Sequence, residues 1–598
     1  MNSLDRRSFL AAGAAALLGA PVLGGAASAD STLDRLLERH AAGFLIRSPE
    51  EATRFGWDTG AHAALRARLD DRSLAALDAD RVMIARARSD LQRIDRAALS
   101  PRAALDYDVA AFVYDTFSGM LALYGFIDID LRPSPYVVSQ MNGAYYWLPD
   151  FLGTAHPLET QADLDAWFAR LQALAVVLDQ ETERVRHDAG LGVVPPDFVI
   201  ALAVAQIRKL RDTPAQESAL LAPAITRARS AGLGEIGPHG EKIFRQRVAP
   251  ALERQAAALK ALAPQAGDIA GVWRLPKGGN YYAAALRANT TVDTTPEELH
   301  REGLEQCADL LAEIDAGLKA LGLSRGTVTE RLAALDVDSR FLVTPDDAGR
   351  ARLIASAERE IQDIVKRLPQ GFNDPVVGPV RVERVPAAIE DGAPLAFYNE
   401  GIDGKPGALM LNLERTQDLP LWRLPTLVHH EGVPGHHFQF GELRRAGGLQ
   451  LFRKVVRFSS YTEGYALYAQ QVADEIGAFE SDPFGRIGYL QSELFRAARI
   501  VVDTGIHHKR WTREQAVRWM VEHAGEQQMT TQREVIRYAV YPGQACSFKV
   551  GANSIVAARE AARQRLGPKF DIRRFHALLL RSGPMPMKVL ASAAERMA

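Results

Sequence analysis

Apolar residues recur at three- and four-residue spacing, with charged residues between them, through residues 73–97, 163–188, 297–321 and 347–368. That is the period of an amphipathic helix. Alanine and leucine, both strong helix formers, are abundant throughout. The run Thr294-Thr295-Pro296-Glu297-Glu298 predicts a helix start: a hydroxyl cap, a proline in the first turn, then two acids at the positive end of the helix dipole. Extended segments are few. Residues 375–385, 395–398 and 408–413 alternate or run apolar, and a glycine-rich turn at 401–407 precedes the last of them,. The pattern predicts a mainly α protein with one small β-sheet just before residue 424. No repeat of 20–50 residues or low-complexity linker appears. The chain is expected to divide into residues 30–290, an N-terminal helical region, and 291–598, a catalytic region.

Composition narrows the class. The 598 residues are 47% hydrophobic and 24% charged, which excludes disordered and fibrous sequence. Lys plus Arg number 71 against 73 Asp plus Glu, so no basic excess offers itself to nucleic acid. The two cysteines, Cys307 and Cys546, are expected to be buried free thiols. A metal site in this chain must therefore rest on histidine and carboxylate. Residues 1–29 carry Arg6-Arg7, an Ala/Leu/Gly stretch and Ala27-Ser28-Ala29. They predict a twin-arginine signal peptide and export to the periplasm or beyond it as a secreted protein, with a mature chain from about Asp30. Such signals serve proteins exported already folded, which suits one that takes up its metal before crossing. No later segment reaches the ~20 apolar residues of a membrane span.

Four of the chain's 14 histidines fall between His429 and His437, around Glu431, in the run HHEGVPGHHFQ. The run is close to H-E-x-x-H, in which two imidazoles at i and i+4 share one helix face. Here the second histidine comes two places late. On an unbroken helix His430 and His436 would sit roughly 240° apart around the axis and ~9 Å apart along it. His437 would share the face of His430 but at a rise of about 10.5 Å. Either partner therefore needs a break in the helix, and Gly432, Pro434 and Gly435 are the residues to supply it. A third ligand is expected from Glu463, 27 residues after His436 on a second helical pattern, TEGYALYAQQ. Two histidines and one glutamate form the usual donor set of a catalytic zinc, which keeps its fourth position open for water. Glu431 is then the expected general base.

The runs HHEGVPGHHFQ and TEGYALYAQQ resemble the bacterial domain-of-unknown-function 885 family, with its H-E-x-x-P-G-H-H signature and later E-G-x-A-L-Y. More distantly they are similar to helical zinc peptidases of the thermostable carboxypeptidase and neurolysin-like groups. Weaker echoes at Pro133–Tyr136, Tyr281-Tyr282, Arg537-Tyr538 and Pro542–Ala545 extend the likeness over nearly the whole mature chain. The resemblance implies a zincin-like helical fold with a deep channel, one zinc ion and peptidase-type hydrolysis. It places His430, His436 and Glu463 as ligands and Glu431 as the acid/base. His437 stays open as the alternative second ligand.

An oxyanion formed in hydrolysis needs donors beyond the metal. Tyr538 and Arg537 are the first candidates, Arg537 also as a fork for a substrate carboxylate. Tyr541, Lys549 and Gln544 follow. His429 and His437 are expected to orient the ligands from behind. Residues 408–413 form either a core strand or an edge for an extended peptide. His507-His508 read as a solvated helix end. The expected function is an exported zinc hydrolase of peptide or peptide-like amide bonds. The alternatives are a periplasmic metal- or peptide-binding protein without turnover, or a zinc hydrolase of non-peptide amides or esters. The expected partners are a peptide or small amide, with neither nucleic acid nor membrane insertion after signal removal.

Overall fold

The computed structural model describes residues 24–387, 390, 393–401 and 406–597. The twin-arginine motif and most of the glycine-rich turn lie outside the described residues. The first described helix, Gly24–Arg47, runs across the expected cleavage point. Its buried leucines, Leu33, Leu36, Leu37 and Leu45, all lie beyond that point. No helix among the described residues is long and apolar enough to cross a membrane.

The protein is mainly α, and a helix starts where the cap at Thr295 predicted. Ser73 caps Leu74–Gln92 by accepting from the Ala76 N–H. Thr160 and Asp163 close a capping box on Gln161–Gly190, and Thr295 and Glu298 do the same for Pro296–Ala320. In each box two of the orphan N–H groups of a helix start are satisfied reciprocally. The sheet contains Val380–Arg384, Gly407–Leu411 and Ala396–Asn399, with Gly407–Leu411 in the middle. That strand pairs in parallel with Val380–Arg384 and antiparallel with Ala396–Asn399, Ala396 opposite Leu411. All five of its residues are buried. Both of its edges are thus taken, and it serves as a core strand rather than as an edge for an incoming peptide.

The apolar core is not divided at residue 290. One cluster joins Leu33 through Leu131 to Val343 through Ala594. A second, centred on Trp167 and Phe244, is built almost wholly from residues 137–262. The N-terminal residues therefore pack against the half that carries the histidine run, and 137–262 build most of a second core. Cys307 and Cys546 are free and buried.

Two close backbone approaches position the helices around the histidine run. The helix Ser459–Glu475 meets Ser547–Leu566 at Gly464, where a Cβ would come within 2.6 Å of the Gly551 backbone. Only glycine lets the helices come this near, and Gly464 is the residue after Glu463. Likewise, a Cβ on Gly435 would sit 1.9 Å from the His430 carbonyl oxygen, so the chain can double back there only without a side chain.

Candidate metal centre

The histidine run is two helices, Leu424–Glu431 and His436–Ala446. The break between them is complete, not a widened turn within one helix. Gly432 donates back to the Val428 carbonyl at 2.8 Å and ends the first helix; Gln439 donates to Gly435 at 2.9 Å in the second. Pro434, which could not donate within a helix, offers its carbonyl to the Tyr465 hydroxyl at 2.8 Å. The helix carrying Glu463 therefore holds the break from one side. His429 holds it from the other: its Nδ1 lies 3.1 Å from the Val433 carbonyl, and its Nε2 lies 3.1 Å from Glu360.

The break turns His430 and His436 toward each other, with ring centroids 5.2 Å apart and planes 82° apart. The Nε2 atoms of both lie 3.6 Å from the same oxygen of Glu463, Oε2. One donor atom from each of the three residues lies within 4.8 Å of the others. A tetrahedral ion with bonds of about 2.0–2.1 Å spaces its ligand atoms about 3.4 Å apart. The observed separations are long for hydrogen bonds and close to that spacing. The donor set fits zinc, which accepts imidazole and carboxylate together. Among the described residues this is the one group of histidines, cysteines and acids with such geometry.

His437, the alternative ligand, is turned away. Its Nδ1 meets the Tyr398 hydroxyl and its Nε2 the Gly378 carbonyl, each at 3.0 Å. Neither His429 nor His437 touches a ring nitrogen of the ligand pair, so they brace the backbone instead of orienting the ligands. The group beside His436 is Gln439, whose buried Oε1 has no partner.

The electrostatics of the cluster follow from burial and proximity. Burial disfavours the charged form of His430 and takes it down to about 4. Burial acts on His436 in the same sense, but Glu463, and then Glu431, outweigh it and raise that group to about 9. Glu463 would be raised by burial; its two histidine neighbours hold it well below the usual carboxylate range. Glu431 is pushed up to about 7, chiefly by burial, with His436 opposing and Glu463 reinforcing the rise. Its Oε2 accepts from the Tyr398 N–H at 3.0 Å, on the edge strand of the sheet.

The remaining expected residues are distributed differently. The Tyr538 hydroxyl donates to Glu534 at 2.9 Å. Arg537 donates to the same oxygen at 2.8 Å and to Gln544 at 3.0 Å. The Tyr538 hydroxyl and both terminal nitrogens of Arg537 are thus engaged, while the Arg537 Nε is buried without a partner. Lys549 is paired with Glu493, and the Tyr541 hydroxyl donates to the Met141 carbonyl at 2.9 Å. His507 is not a solvated helix end: it is buried, its Nδ1 accepting from the Val272 N–H and its Nε2 against the Tyr538 carbonyl. His508 meets Glu297 at 3.0 Å.

Sequence reasoning missed Arg496 and Arg499. They lie three apart on the helix Pro483–His507, one turn apart on the same face. The signal was present as two cations inside the apolar stretch LFRAARIVV.

A family model described as a bacterial protein of unknown function, DUF885, matches residues 49–593. The chain belongs to this family. Two solved structures extend the picture. A "putative lipoprotein" from Colwellia psychrerythraea matches with a TM-score of 0.88 at 29% identity, over 95% of this chain and 98% of that one. A "putative lipoprotein of unknown function" from Shewanella oneidensis shares the fold at a TM-score of 0.70 and 16% identity, over 94% of this chain and 99% of its own. No curated protein matches the chain. The DUF885 match spans the histidine run, Glu463 and the arginine pair alike.

Proposed function

We propose that this DUF885 protein is an exported zinc-dependent hydrolase of peptide or peptide-like amide bonds, built on a zincin-like helical plan. The reading rests on the convergence of His430, His436 and Glu463 beside an acid whose pKa is raised to about 7. Zinc, when bound by these three, supplies Lewis acidity toward a carbonyl oxygen and toward water. Glu431 takes the proton of the attacking water and hands it to the leaving amine. A carboxyl group near 7 is suited to both halves of that transfer. The Tyr398 N–H holds its Oε2 and leaves Oε1 to carry the proton. Export is supported by the twin arginines and the A-x-A site in residues 1–29, and by the description of the Colwellia protein as a lipoprotein.

Elemental analysis of the purified protein, run beside digestion of a peptide library, tests the reading. One zinc per chain is expected, lost in His430→Ala and in Glu463→Ala, with cleavage lost alongside. Unchanged zinc in both variants removes them as ligands. Tight peptide binding with no cleavage by the zinc-loaded protein favours a receptor.

A further inference from the structure

Every carboxylate beside the metal centre already has a partner, yet two guanidinium groups there are poorly matched by charge. Arg496 makes no ion pair among the described residues. Its polar contact is the Ser492 hydroxyl at 3.2 Å, its Nε is buried without a partner, and its guanidinium lies 5.0 Å from the Phe495 ring. Arg499 is 3% exposed. Its approach to an acid is a 3.9 Å separation from Glu534, which Arg537 and Tyr538 already occupy. Its Nε and one terminal nitrogen are buried without partners. Of the other acids nearby, Glu493 is held by Lys549, Glu526 accepts from Gln491, and Glu463 faces the two histidines.

Both arginines belong to the metal-centre wall. The Arg496 charge acts on His430 and Glu431. The Arg499 guanidinium lies 4.1 Å from the Phe548 ring, and that ring is stacked parallel to His430 at 6.4 Å. Burying the Arg499 guanidinium, and half-burying that of Arg496, with so little counter-charge is costly,. An arrangement that keeps both beside a reactive centre marks a place for a ligand's negative charge. Guanidinium forks match a carboxylate through two parallel hydrogen bonds.

We propose that Arg496 and Arg499 form a carboxylate-binding subsite beside the metal centre, so that the preferred substrates carry a free carboxylate close to the bond that is cut. The inference deepens the hydrolase reading and rests on it for the word substrate; the subsite itself is a binding site and is tested by binding. The carboxylate comes either from the C-terminal end of a peptide or from an acidic side chain.

Calorimetric titration of the full protein with three probes decides the matter: N-acetyl-Ala-Phe, its C-terminal amide, and N-acetyl-Ala-Glu-amide. The first should bind about 30-fold or more tightly than its amide, and the preference should fall to parity in Arg496→Gln and in Arg499→Gln. Arg496→Lys, which keeps the charge and loses the fork, should fall between and guards against a folding defect. Tight binding of the third probe, lost in the same variants, assigns the carboxylate to a side chain. Equal binding of acid and amide by the wild-type protein overturns the proposal. So does a preference that survives both Gln variants but disappears when the metal is chelated, because the ion then holds the carboxylate. If the binding preference is present and hydrolysis is absent, the hydrolase reading fails and the subsite stands.

Discussion

Two regions bury charge in opposite ways. In the lobe around residues 137–262 the buried charges about Arg170 are closed on themselves, whereas Arg184 and Asp188 each keep one buried atom unpaired. Arg170, fully buried, donates to the carbonyls of Pro49, Leu65 and Arg68, to the Thr53 hydroxyl and to His156. The other nitrogen of His156 meets the Asp163 carbonyl at 2.9 Å. The Asp163 carboxylate takes Arg66 at 2.6 Å, and Arg66 also holds Asp58. None of Arg66, Asp163, His156 or Arg170 leaves a buried polar atom unpaired. The metal-centre wall is the reverse. His430 and His436 each leave Nδ1 unpaired, and Arg496, Arg499 and Arg537 each leave Nε unpaired. A closed network contributes to holding the fold; an open one is what a site for a ligand requires.

The largest expected effect lies at the open site. Glu431→Gln should lower peptide hydrolysis about 10³-fold, within the range of a lost general base, with zinc content unchanged. Cleavage at the wild-type rate would remove Glu431 from its role. Next comes the closed network. Arg170→Ala orphans its partners together and should cost about 3–5 kcal/mol in a denaturant titration, leaving zinc content as it was. A loss below about 1 kcal/mol would erase the contrast between the two regions.

A smaller effect per residue is expected from pH. His156, His507 and His576 are buried with both ring nitrogens engaged, and burial lowers each from 6.5 to about 4. The unfolded chain binds protons at these groups below about 6.5 while the folded one refuses them until about 4. Stability should therefore be complete above 6.5 and fall between 6.5 and 4, by about 2 kcal/mol per histidine at pH 5. Denaturant midpoints at pH 7 and pH 5 measure the slope; a flat response would mean that these imidazoles accept protons in the folded state. The smallest effect separates the regions again. Arg496→Met removes a cation with no counter-charge and should change stability by less than about 1 kcal/mol, or raise it, in contrast to Arg170→Ala.

Much of the fold was legible because helix starts are local. Thr295, Pro296 and Glu298 specify a capping box with no reference to distant residues. The convergence of His430, His436 and Glu463 was legible for a related reason: H-E, a late histidine and a downstream glutamate are chemical types rather than shapes, and Gly432, Pro434 and Gly435 announce a break. Which histidine follows the break was not legible. His436 and His437 differ only in where Tyr398 and Gly378 lie, and those residues come from the sheet and from a loop far back in the chain. Tyr538 and Arg537 looked like free donors in sequence because nothing local shows that both turn to Glu534. The arginine pair was unreadable for the same reason: an arginine without a counter-ion is defined by what fails to arrive beside it.

The sequence by itself determined a helical chain, a small sheet before the histidine run, and a break between two imidazoles. Each follows from backbone preferences within a few residues. Only the tertiary structure decided that Glu463 meets both rings at one oxygen, since that depends on how the helix Ser459–Glu475 packs against both short helices of the histidine run. It also decided that the charges around Arg170 close while those beside the histidine cluster stay open, because satisfaction of a buried polar group is a property of everything packed around it.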